Sequence, residues 1–415
     1  MHTLAVLAIL AQFPDAKSSD PKSMGWMQGA PPPADKLIRF EDTRLFPQSR
    51  WVFSNTRQFS ATVATPRVRT TKPLPVSKQS LSAVRFKPIG SQTTMSWDES
   101  MAANYTDGII VLHNGKIVEE RYFGVLTPEK QHTLFSVTKS FVGTLAATLI
   151  AENKLDANAL AQKYLPELAG SALGDATVRQ LLDMTTGPKY TEDYTDPNAG
   201  IWDFSRAANL LPRPFGYNGP ATTYDYLKTL IKDYAHGERF HYKTVNTDTL
   251  AWILARVTGK PLHESLHERI WSKIGLEEEA YFRVDSIGIP FAGGGLNLTL
   301  RDMARFGETM RLRGANVIPS AVIDDIQRGA DKRQFEKAGY KTLPGWSYRN
   351  MWWVSHNGNG AYMARGIHGQ GIYVDPAARV VIARFASHPL AGNVNLDPTT
   401  LPAFEAVANY LNKKH

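Results

Sequence analysis

Ser136 and Lys139 stand three residues apart at the start of a long segment in which apolar residues recur with helical spacing. This spacing continues to Ile150 and is typical of a helix that packs along one side. Residues three apart share a helix face, so the lysine amine can reach the serine hydroxyl. Apolar neighbours remove water from a lysine, which lowers its pKa and lets it accept a proton near neutral pH. The pair predicts a serine nucleophile with a lysine base, next to free helix N–H groups that can stabilise an oxyanion. The alternative for Ser136 is an ordinary first-turn serine.

Two further stretches fit the same chemistry. Tyr242 precedes a predicted helix over residues 247–257, where its phenol could shuttle a proton between nucleophile and leaving group. The alternative is a half-buried structural tyrosine. In Gly366-Ile367-His368-Gly369, the glycines let the backbone approach a substrate closely, and one N–H group there could be a second oxyanion donor. The alternative is a glycine-rich entry to a strand. The chain has no G-x-S-x-G motif, so the usual α/β-hydrolase arrangement is not supported.

A competing motif is His263-Glu264-Ser265-Leu266-His267, which matches the H-E-x-x-H pattern of zinc peptidases. Leu262, Leu266 and Ile270 form the apolar stripe of this segment, so both histidines fall beside it. No convincing third ligand follows beyond Glu277-Glu278-Glu279. We therefore predict no metal and no cofactor, and a zinc peptidase acting through His263, Glu264 and His267 is the remote alternative.

The composition excludes several classes of function. The chain of 415 residues is 43% hydrophobic and 21% charged, as in ordinary globular proteins. It has no cysteine, which excludes thiol catalysis, disulfides and thiolate zinc sites. No apolar run reaches the roughly 18 residues of a membrane span. Residues 4–11 have the length of a signal-peptide core but lack a preceding basic region. The location is therefore open, with export to the periplasm slightly favoured over the cytoplasm.

A basic segment lies near the N-terminus. Residues 35–87 contain eleven basic and three acidic side chains, a surplus equal to the net charge of +8 for the whole chain. A nucleic-acid surface is one interpretation. Five prolines between residues 47 and 88 and the absence of a recognition motif favour the other, an extended arm lying over an acidic face of its own domain. We predict no nucleic-acid partner.

The order of predicted elements indicates the architecture. Asn114-Gly115 between β-rich runs predicts a hairpin over residues 108–122, and three more strands are predicted at 351–354, 367–374 and 379–385. Helices and loops fill residues 160–290. The pattern predicts an α/β (α+β) chain with one antiparallel sheet of about five strands flanked by helices, built by both ends of the chain around a mainly helical insertion. The predicted division is a leader and basic extended arm at 1–98, the α/β domain at 99–160 and 290–415, and the inserted domain at 161–289.

The sequence resembles the serine β-lactamase and penicillin-binding-protein superfamily, and within it the 6-aminohexanoate-dimer hydrolases and the related family VIII-type carboxylesterases. The resemblance begins near residue 51 and implies a β-lactamase/transpeptidase-like fold. It rests on Phe135-Ser136-Val137-Thr138-Lys139-Ser140, Leu182-Asp183-Met184, Glu192-Asp193-Tyr194-Thr195-Asp196-Pro197, Val245-Asn246-Thr247-Asp248, Trp352-Trp353 and Gly366-Ile367-His368-Gly369-Gln370.

The resemblance also implies roles. Ser136 becomes the nucleophile, Lys139 its activating partner and Tyr242 the proton shuttle, while the N–H groups of Ser136 and Ile367 form the oxyanion hole. The substrate-binding residues that it implies are Tyr194, Trp353, Gly366 and His368. The candidates to meet a substrate ammonium, which the sequence does not rank, are Asp193, Asp196 and Asp203.

Two departures from β-lactamases favour a linear substrate. Tyr242-Lys243-Thr244 replaces Tyr-x-Asn, and Ala364-Arg365-Gly366 replaces Lys-Thr-Gly. We therefore predict a serine hydrolase that cleaves linear, 6-aminohexanoate-oligomer-like amides or carboxylic esters through an acyl-enzyme. The alternative is a β-lactamase or a D-alanyl-D-alanine peptidase-like penicillin-binding protein. The expected partner is a small amide or ester substrate, and whether the chain forms a homodimer is left open.

Overall fold

The computed structural model of the chain describes residues 12–68 and 70–413. The candidate signal segment at 4–11 lies outside the described residues. The strands are β1 Thr62–Ala64, β2 Arg85–Phe86, β3 Met95–Ser96, β4 Thr106–His113, β5 Lys116–Tyr122, β6 His132–Thr133, β7 Tyr281–Arg283, β8 Leu296–Leu298, β9 Ser347–Arg349, β10 Trp352–Val354, β11 Tyr362–Gly366, β12 Gln370–Asp375 and β13 Val380–Ala386.

The helices lie mostly between β6 and β9. They are α1 Ser49–Val52, α2 Trp97–Ala103, α3 Val137–Ala151, α4 Ala161–Tyr164, α5 Val178–Leu182, α6 Gly200–Ala207, α7 Thr223–Thr229, α8 Thr244–Thr258, α9 Leu262–Leu266, α10 Ser272–Ile274, α11 Leu300–Arg311, α12 Ser320–Arg328, α13 Lys332–Glu336 and α14 Asp397–Asn412. A π-helical segment, His267–Trp271, joins α9 to α10.

An antiparallel sheet organises the molecule, in the order β5-β4-β13-β12-β11-β10-β9. Its first and last strands in the chain, β4 and β13, are neighbours in the sheet, where Val111 of β4 pairs with Ile382 of β13. The β4–β5 turn has positive φ at Asn114 and Gly115, the conformation that a two-residue type I′ hairpin requires. Both ends of the chain therefore close one sheet, which confirms the predicted fold class.

The sheet has seven strands within the described residues, more than the five predicted. The additional strands are β9 and β11, which are short. The strand predicted over residues 367–374 is wrong at its start, because Ile367–Gly369 forms a 3₁₀ turn between β11 and β12 with φ of 62° at His368. An L-residue in that conformation cannot continue a strand. Ile367 therefore lies at a sharp bend of the backbone.

Helices cover the sheet and hold the region of Ser136. Helix α3 packs against β11 and α8, and α11 packs against β12 and β13. A Cβ built on Gly143 of α3 would lie 2.2 Å from the Asn350 carbonyl oxygen, so only glycine lets this helix approach so closely. The side chain of Thr299 caps α11 by accepting from Asp302 N–H, as predicted. None of the helices among the described residues is long and apolar enough to cross a membrane.

The N-terminal segment is fastened to the rest of the chain. Strand β1 joins a smaller antiparallel sheet in the order β1-β7-β8-β6. Arg57 pairs with Glu279 and Arg67 with Glu278, so the basic segment does lie over the acidic run that precedes β7. The division of the chain at residues 98, 160 and 289 stays a prediction.

Candidate active site

Ser136 stands at a sharp turn between β6 and α3. Phe135, the residue before it, has φ of 44°, which is rare for a bulky side chain and marks a strained backbone. Although Ser136 is the N-terminal cap residue of α3, its side chain makes no capping hydrogen bond. Its hydroxyl oxygen instead accepts from Lys139 Nζ at 3.0 Å. The hydroxyl is thus not used as an ordinary first-turn serine uses it.

Lys139 is buried on the first turn of α3. Its Nζ also donates to the carbonyl oxygen of Gly293 at 2.5 Å. Burial lowers the pKa of Lys139, and the negative charges of Glu192 and Asp248 partly oppose that shift. The amine is therefore easier to deprotonate than an ordinary lysine, as a proton acceptor for a serine must be.

Tyr242 completes the group from the start of α8. Burial raises the pKa of Tyr242 well above its ordinary value, and a hydrogen bond to the Ser136 side chain opposes part of this shift. Its ring stacks on Trp353, with centroids 5.5 Å apart. Lys243 does not stabilise this phenol, because its amine donates to the Pro188 carbonyl and lies over the Tyr234 ring. Tyr242 is accordingly a neutral hydroxyl at neutral pH, and the lysine beside it is Lys139.

The end of β11 lies against the turn that carries Ser136. A Cβ built on Gly366 would lie 2.6 Å from the Leu134 carbonyl oxygen and 3.2 Å from Ser136 N. Glycine is therefore required here, and the next residue, Ile367, has its backbone beside that of Ser136. This proximity fits two N–H groups that share one oxyanion.

Three aromatic rings pack together next to Ser136 and Ile367, the two candidate oxyanion donors. Phe53 of the arm lies 4.9 Å from Phe135 and 5.1 Å from His368 between ring centroids, and Phe135 and His368 are 5.4 Å apart. Burial lowers the pKa of His368 to about 4, so the ring is neutral near pH 7, and its Nδ1 donates to the His388 carbonyl at 2.7 Å. Sequence analysis missed Phe53, since no local pattern connects it to residues 135 and 368.

Trp353 and Tyr194, both predicted to bind substrate, pack against different neighbours. Trp353 of β10 is buried behind Tyr242, while Tyr194 packs edge-on against Trp202 of α6 at 5.9 Å between centroids. Arg365, which replaces a β-lactamase residue, pairs with Asp397 and lies 5.0 Å from the Trp353 ring centre. Its charge is therefore balanced inside the protein and is not offered to a ligand.

The three aspartates considered for a substrate ammonium have partners of their own. Asp193 accepts from Thr195 N–H, Asp196 accepts from Asn198 N–H, and Asp203 pairs with Arg206 at 2.9 Å. Two other carboxylates approach the site instead. Glu192 accepts from Thr244 N–H at the start of α8, and Asp248 accepts from Ala292 N–H at 2.9 Å.

Sequence analysis missed both carboxylates and the carbonyl of Gly293. Asp248 could have been recognised as a candidate functional residue, because it is a charged residue on the buried face of a helix. Gly293 could likewise have been noticed in the Gly293-Gly294-Gly295 run. A Cβ on Gly293 would lie 2.1 Å from Thr244 Cγ2, so the loop beneath Lys139 tolerates no side chain at this position.

The H-E-x-x-H segment does not form one regular helix. His263 and Glu264 belong to α9, whereas His267 begins the π-helical segment. Glu264 is exposed, and within the described residues no three histidine, aspartate or glutamate side chains are placed to hold a metal ion.

Comparison with known proteins shows which family the chain belongs to. Residues 99–399 match the beta-lactamase family model. The chain is 32% identical over 385 residues to the 6-aminohexanoate-dimer hydrolase of Paenarthrobacter ureafaciens, covering 91% of each chain.

Solved structures also match this chain. One from Bacillus anthracis, assigned to 6-aminohexanoate-dimer hydrolases, superposes with a TM-score of 0.83 at 32% identity, over 92% of this chain and 99% of that one. The hydrolase EstCE1 shares the fold at a TM-score of 0.59 and 16% identity, over 75% of this chain and 96% of its own. The chain is therefore a serine hydrolase of the beta-lactamase family, similar to the 6-aminohexanoate-dimer hydrolases.

Proposed function

We propose that this enzyme cleaves linear amides of the 6-aminohexanoate-oligomer type, or carboxylic esters, through an acyl-enzyme on Ser136. The observation that carries the proposal is the 3.0 Å contact between the Ser136 hydroxyl and the buried amine of Lys139. A buried lysine with a depressed pKa is a suitable base for a serine hydroxyl, whose own acidity is too low for unassisted attack.

The reaction then has two halves. Lys139, as the free amine, takes the proton of Ser136 while Oγ bonds to the substrate carbonyl carbon. The N–H groups of Ser136 and Ile367 hold the resulting oxyanion. The Tyr242 hydroxyl donates its proton to the leaving nitrogen or oxygen and regains one from Lys139. In the second half, water attacks the acyl group, its proton returns through the same groups, and the acid leaves as Ser136 recovers its hydroxyl.

Tyr242 acts in this scheme as a neutral relay and not as a phenolate base. The raised pKa of Tyr242 supports that assignment, because burial without a charged partner at the hydroxyl disfavours the anion. Lys139 is left as the group whose protonation controls the first step.

A linear substrate is favoured over a β-lactam for two reasons. The relative that is 32% identical is named for cleavage of a linear amide dimer. Ala364 stands at the position of the β-lactamase lysine, and the adjacent Arg365 is neutralised by Asp397, so neither residue supplies a free cation for a drug carboxylate. A β-lactamase or a D-alanyl-D-alanine peptidase-like protein is the alternative.

Intact-mass measurement after brief exposure to reactive substrates tests the proposal. The panel contains p-nitrophenyl esters, 6-aminohexanoate dimer and nitrocefin. We expect an added acyl mass on Ser136 with the esters, turnover of the amide dimer, and little hydrolysis of nitrocefin. Ser136→Ala should abolish the adduct. Ser140→Ala is the matched control, because Ser140 lies on the same helix and donates to the Met351 carbonyl, away from the site.

Two results would overturn this proposal. One is an active enzyme whose acyl group maps to a residue other than Ser136. The other is a Ser136→Ala variant that turns over esters at the rate of the unmodified enzyme, since loss of a serine nucleophile costs several orders of magnitude.

A further inference from the structure

Asp248 is a buried carboxylate on α8, beside the loop that presents Gly293. The residue is 2% exposed, and its Oδ1 accepts from Ala292 N–H at 2.9 Å. Its Oδ2 makes no hydrogen bond and lies beside Gly293, where a built Cβ would be 2.9 Å from it. A buried carboxylate with an unpaired oxygen is unfavourable for folding, and such groups are concentrated at functional sites.

Hydrogen bonds on two consecutive residues connect Asp248 to the catalytic amine. Ala292 donates its N–H to Asp248, and the carbonyl of the next residue, Gly293, accepts from Lys139 Nζ at 2.5 Å. The same Nζ donates to the Ser136 hydroxyl at 3.0 Å. Asp248 therefore fixes the residue that precedes the acceptor of the base.

The loop itself has little to fix it. Its sequence Gly293-Gly294-Gly295 has no side chains that could anchor it, and glycine is the residue with the most backbone freedom. Its two ends are held by Arg283 of β7, whose carbonyl accepts from Phe291 N–H at 2.9 Å and whose N–H donates to the Gly295 carbonyl at 2.9 Å. Between these ends, Asp248 supplies a hydrogen bond from a side chain.

The charge of Asp248 also acts on the base. Burial raises the pKa of Asp248, and the positive charge of Lys139 opposes part of this rise. Burial lowers the pKa of Lys139, and the charges of Glu192 and Asp248 oppose part of that fall. The titratable groups that face Lys139 are thus these two carboxylates and Tyr242, whose ring centre lies 5.0 Å from Nζ.

We propose that Asp248 is a positioning residue of the active site, which holds the Ala292–Gly293 backbone so that the Gly293 carbonyl keeps Lys139 Nζ against Ser136. This proposal rests on the proposed function, because Asp248 bonds to none of the reacting atoms and acts through the base. A lysine side chain is long and flexible, so an amine without a fixed acceptor would spread over several rotamers, many of them out of reach of the serine.

Two substitutions separate the hydrogen bond of Asp248 from its charge. Asp248→Ala removes both, so the loop is released, and kcat should fall about 10²-fold across the pH range with little change in KM. Asp248→Asn keeps an oxygen that can accept from Ala292 N–H, so it should lower kcat far less. Its rise of activity with pH should move toward acid, because a negative charge that favours the protonated amine of Lys139 is gone.

Asp302 offers a matched control. It is 1% exposed and also holds a loop, by accepting the N–H groups of Glu277 and Glu278 at 2.8 and 3.1 Å. Asp302→Ala should lower Tm as Asp248→Ala does, with kcat unchanged, because the loop that it holds carries none of the proposed catalytic groups. Equal kcat in the two alanine variants would overturn the proposal. So would an Asp248→Asn variant as impaired as Asp248→Ala, since the retained hydrogen bond would then have no effect.

A measurement without turnover separates this proposal from the proposed function. Lysines isotopically labelled at Cε are observed by nuclear magnetic resonance, and Lys139→Gln identifies the signal of Lys139. That signal should stand apart from those of exposed lysines, because the amine is buried against the Tyr242 ring. Asp248→Ala should move it toward them, and Asp302→Ala should not.

An unchanged Lys139 signal in Asp248→Ala would overturn the positioning role even if Ser136 becomes acylated. A displaced signal in an enzyme that never carries an acyl group on Ser136 would support the link between Asp248 and Lys139 and reject the mechanism.

Discussion

The amine of Lys139 lies 5.0 Å from the centre of the Tyr242 ring, so the lysine faces the ring of the tyrosine with which it is proposed to exchange a proton. An aromatic face stabilises a cation. It therefore opposes burial, which favours the free amine. The two effects together keep both protonation states of Lys139 accessible, as a residue that accepts and returns a proton requires.

Activity should consequently rise with pH as Lys139 loses its proton. Because burial lowers the pKa of Lys139 from its ordinary value of 10.5, the rise in kcat/KM should be centred below that value. The profile is recorded with p-nitrophenyl acetate from about pH 5 to about pH 10, with Ser136→Ala as the background. A rise centred at the ordinary lysine value would contradict the assignment of Lys139 as base.

Replacing Glu192 with glutamine should move this rise toward acid. Glu192 is the largest charged influence that raises the pKa of Lys139, so removing its charge makes the amine lose its proton at lower pH. Glutamine retains an oxygen that can accept from Thr244 N–H. Asp193→Asn is the control, since this exposed neighbour binds Thr195 and should move the profile much less. A shift toward alkaline pH would show that the electrostatic argument has the wrong sign.

Adding a single methyl group at Gly366 should damage the oxyanion site. The new Cβ would lie 2.6 Å from the Leu134 carbonyl oxygen, so β11 must move away from the Ser136 turn. Loss of one oxyanion donor costs about 10²- to 10³-fold in kcat, which we expect for Gly366→Ala. Gly371→Ala in β12 is the matched control, because its Cβ would meet no atom closer than 3.7 Å. Similar activity in both variants would argue against this oxyanion site.

Breaking the buried pair of Arg365 and Asp397 should destabilise the fold. Their side chains are 6% and 4% exposed, so Arg365→Met leaves a buried carboxylate without its cation. The expected loss is about 3 to 5 kcal/mol in the free energy of unfolding, measured by urea denaturation. The double variant Arg365→Met with Asp397→Leu should recover much of this loss. A single variant as stable as the unmodified protein would mean that the pair is not buried as described.

Truncating Phe53 should affect both stability and turnover. The ring is 6% exposed and contacts Phe135 and His368, so Phe53→Ala leaves a cavity beneath the oxyanion site. We expect a loss of about 3 to 5 kcal/mol in unfolding free energy, together with a lower kcat. Phe59→Ala, which removes a ring packed on Trp51 within the arm, should lower stability with less effect on kcat. Reduced stability with unchanged kcat would limit Phe53 to a packing role.

Local patterns predicted the elements that local physics determines. The Asn114-Gly115 turn, the helix after Ser136 and the Thr299 cap each depend on a few adjacent residues, and all three are present. Strands β9 and β11 were missed because they are only three and five residues long and gain their burial from neighbours distant in sequence. The bend at His368 was missed because a histidine in the sequence does not by itself indicate a positive φ.

The candidate site shows the same limit. Ser136 and Lys139 could be paired from their spacing, and the structure brings Tyr242 to them. Glu192 and Phe53 reach the site only through the path of the chain between distant elements. A charge inside an apolar helix could have singled out Asp248, but nothing in the sequence indicates that its neighbour would be Lys139.

The contacts of the N-terminal arm, residues 1–98, with the catalytic region matter for protein production. A recombinant fragment trimmed to residues 99–399, the span that matches the family, would lack Phe53 and strand β1. It would uncover one side of β7 and the rings beneath Ser136, surfaces that favour aggregation. The boundaries of a homology match are thus a poor guide to the smallest working enzyme in this protein.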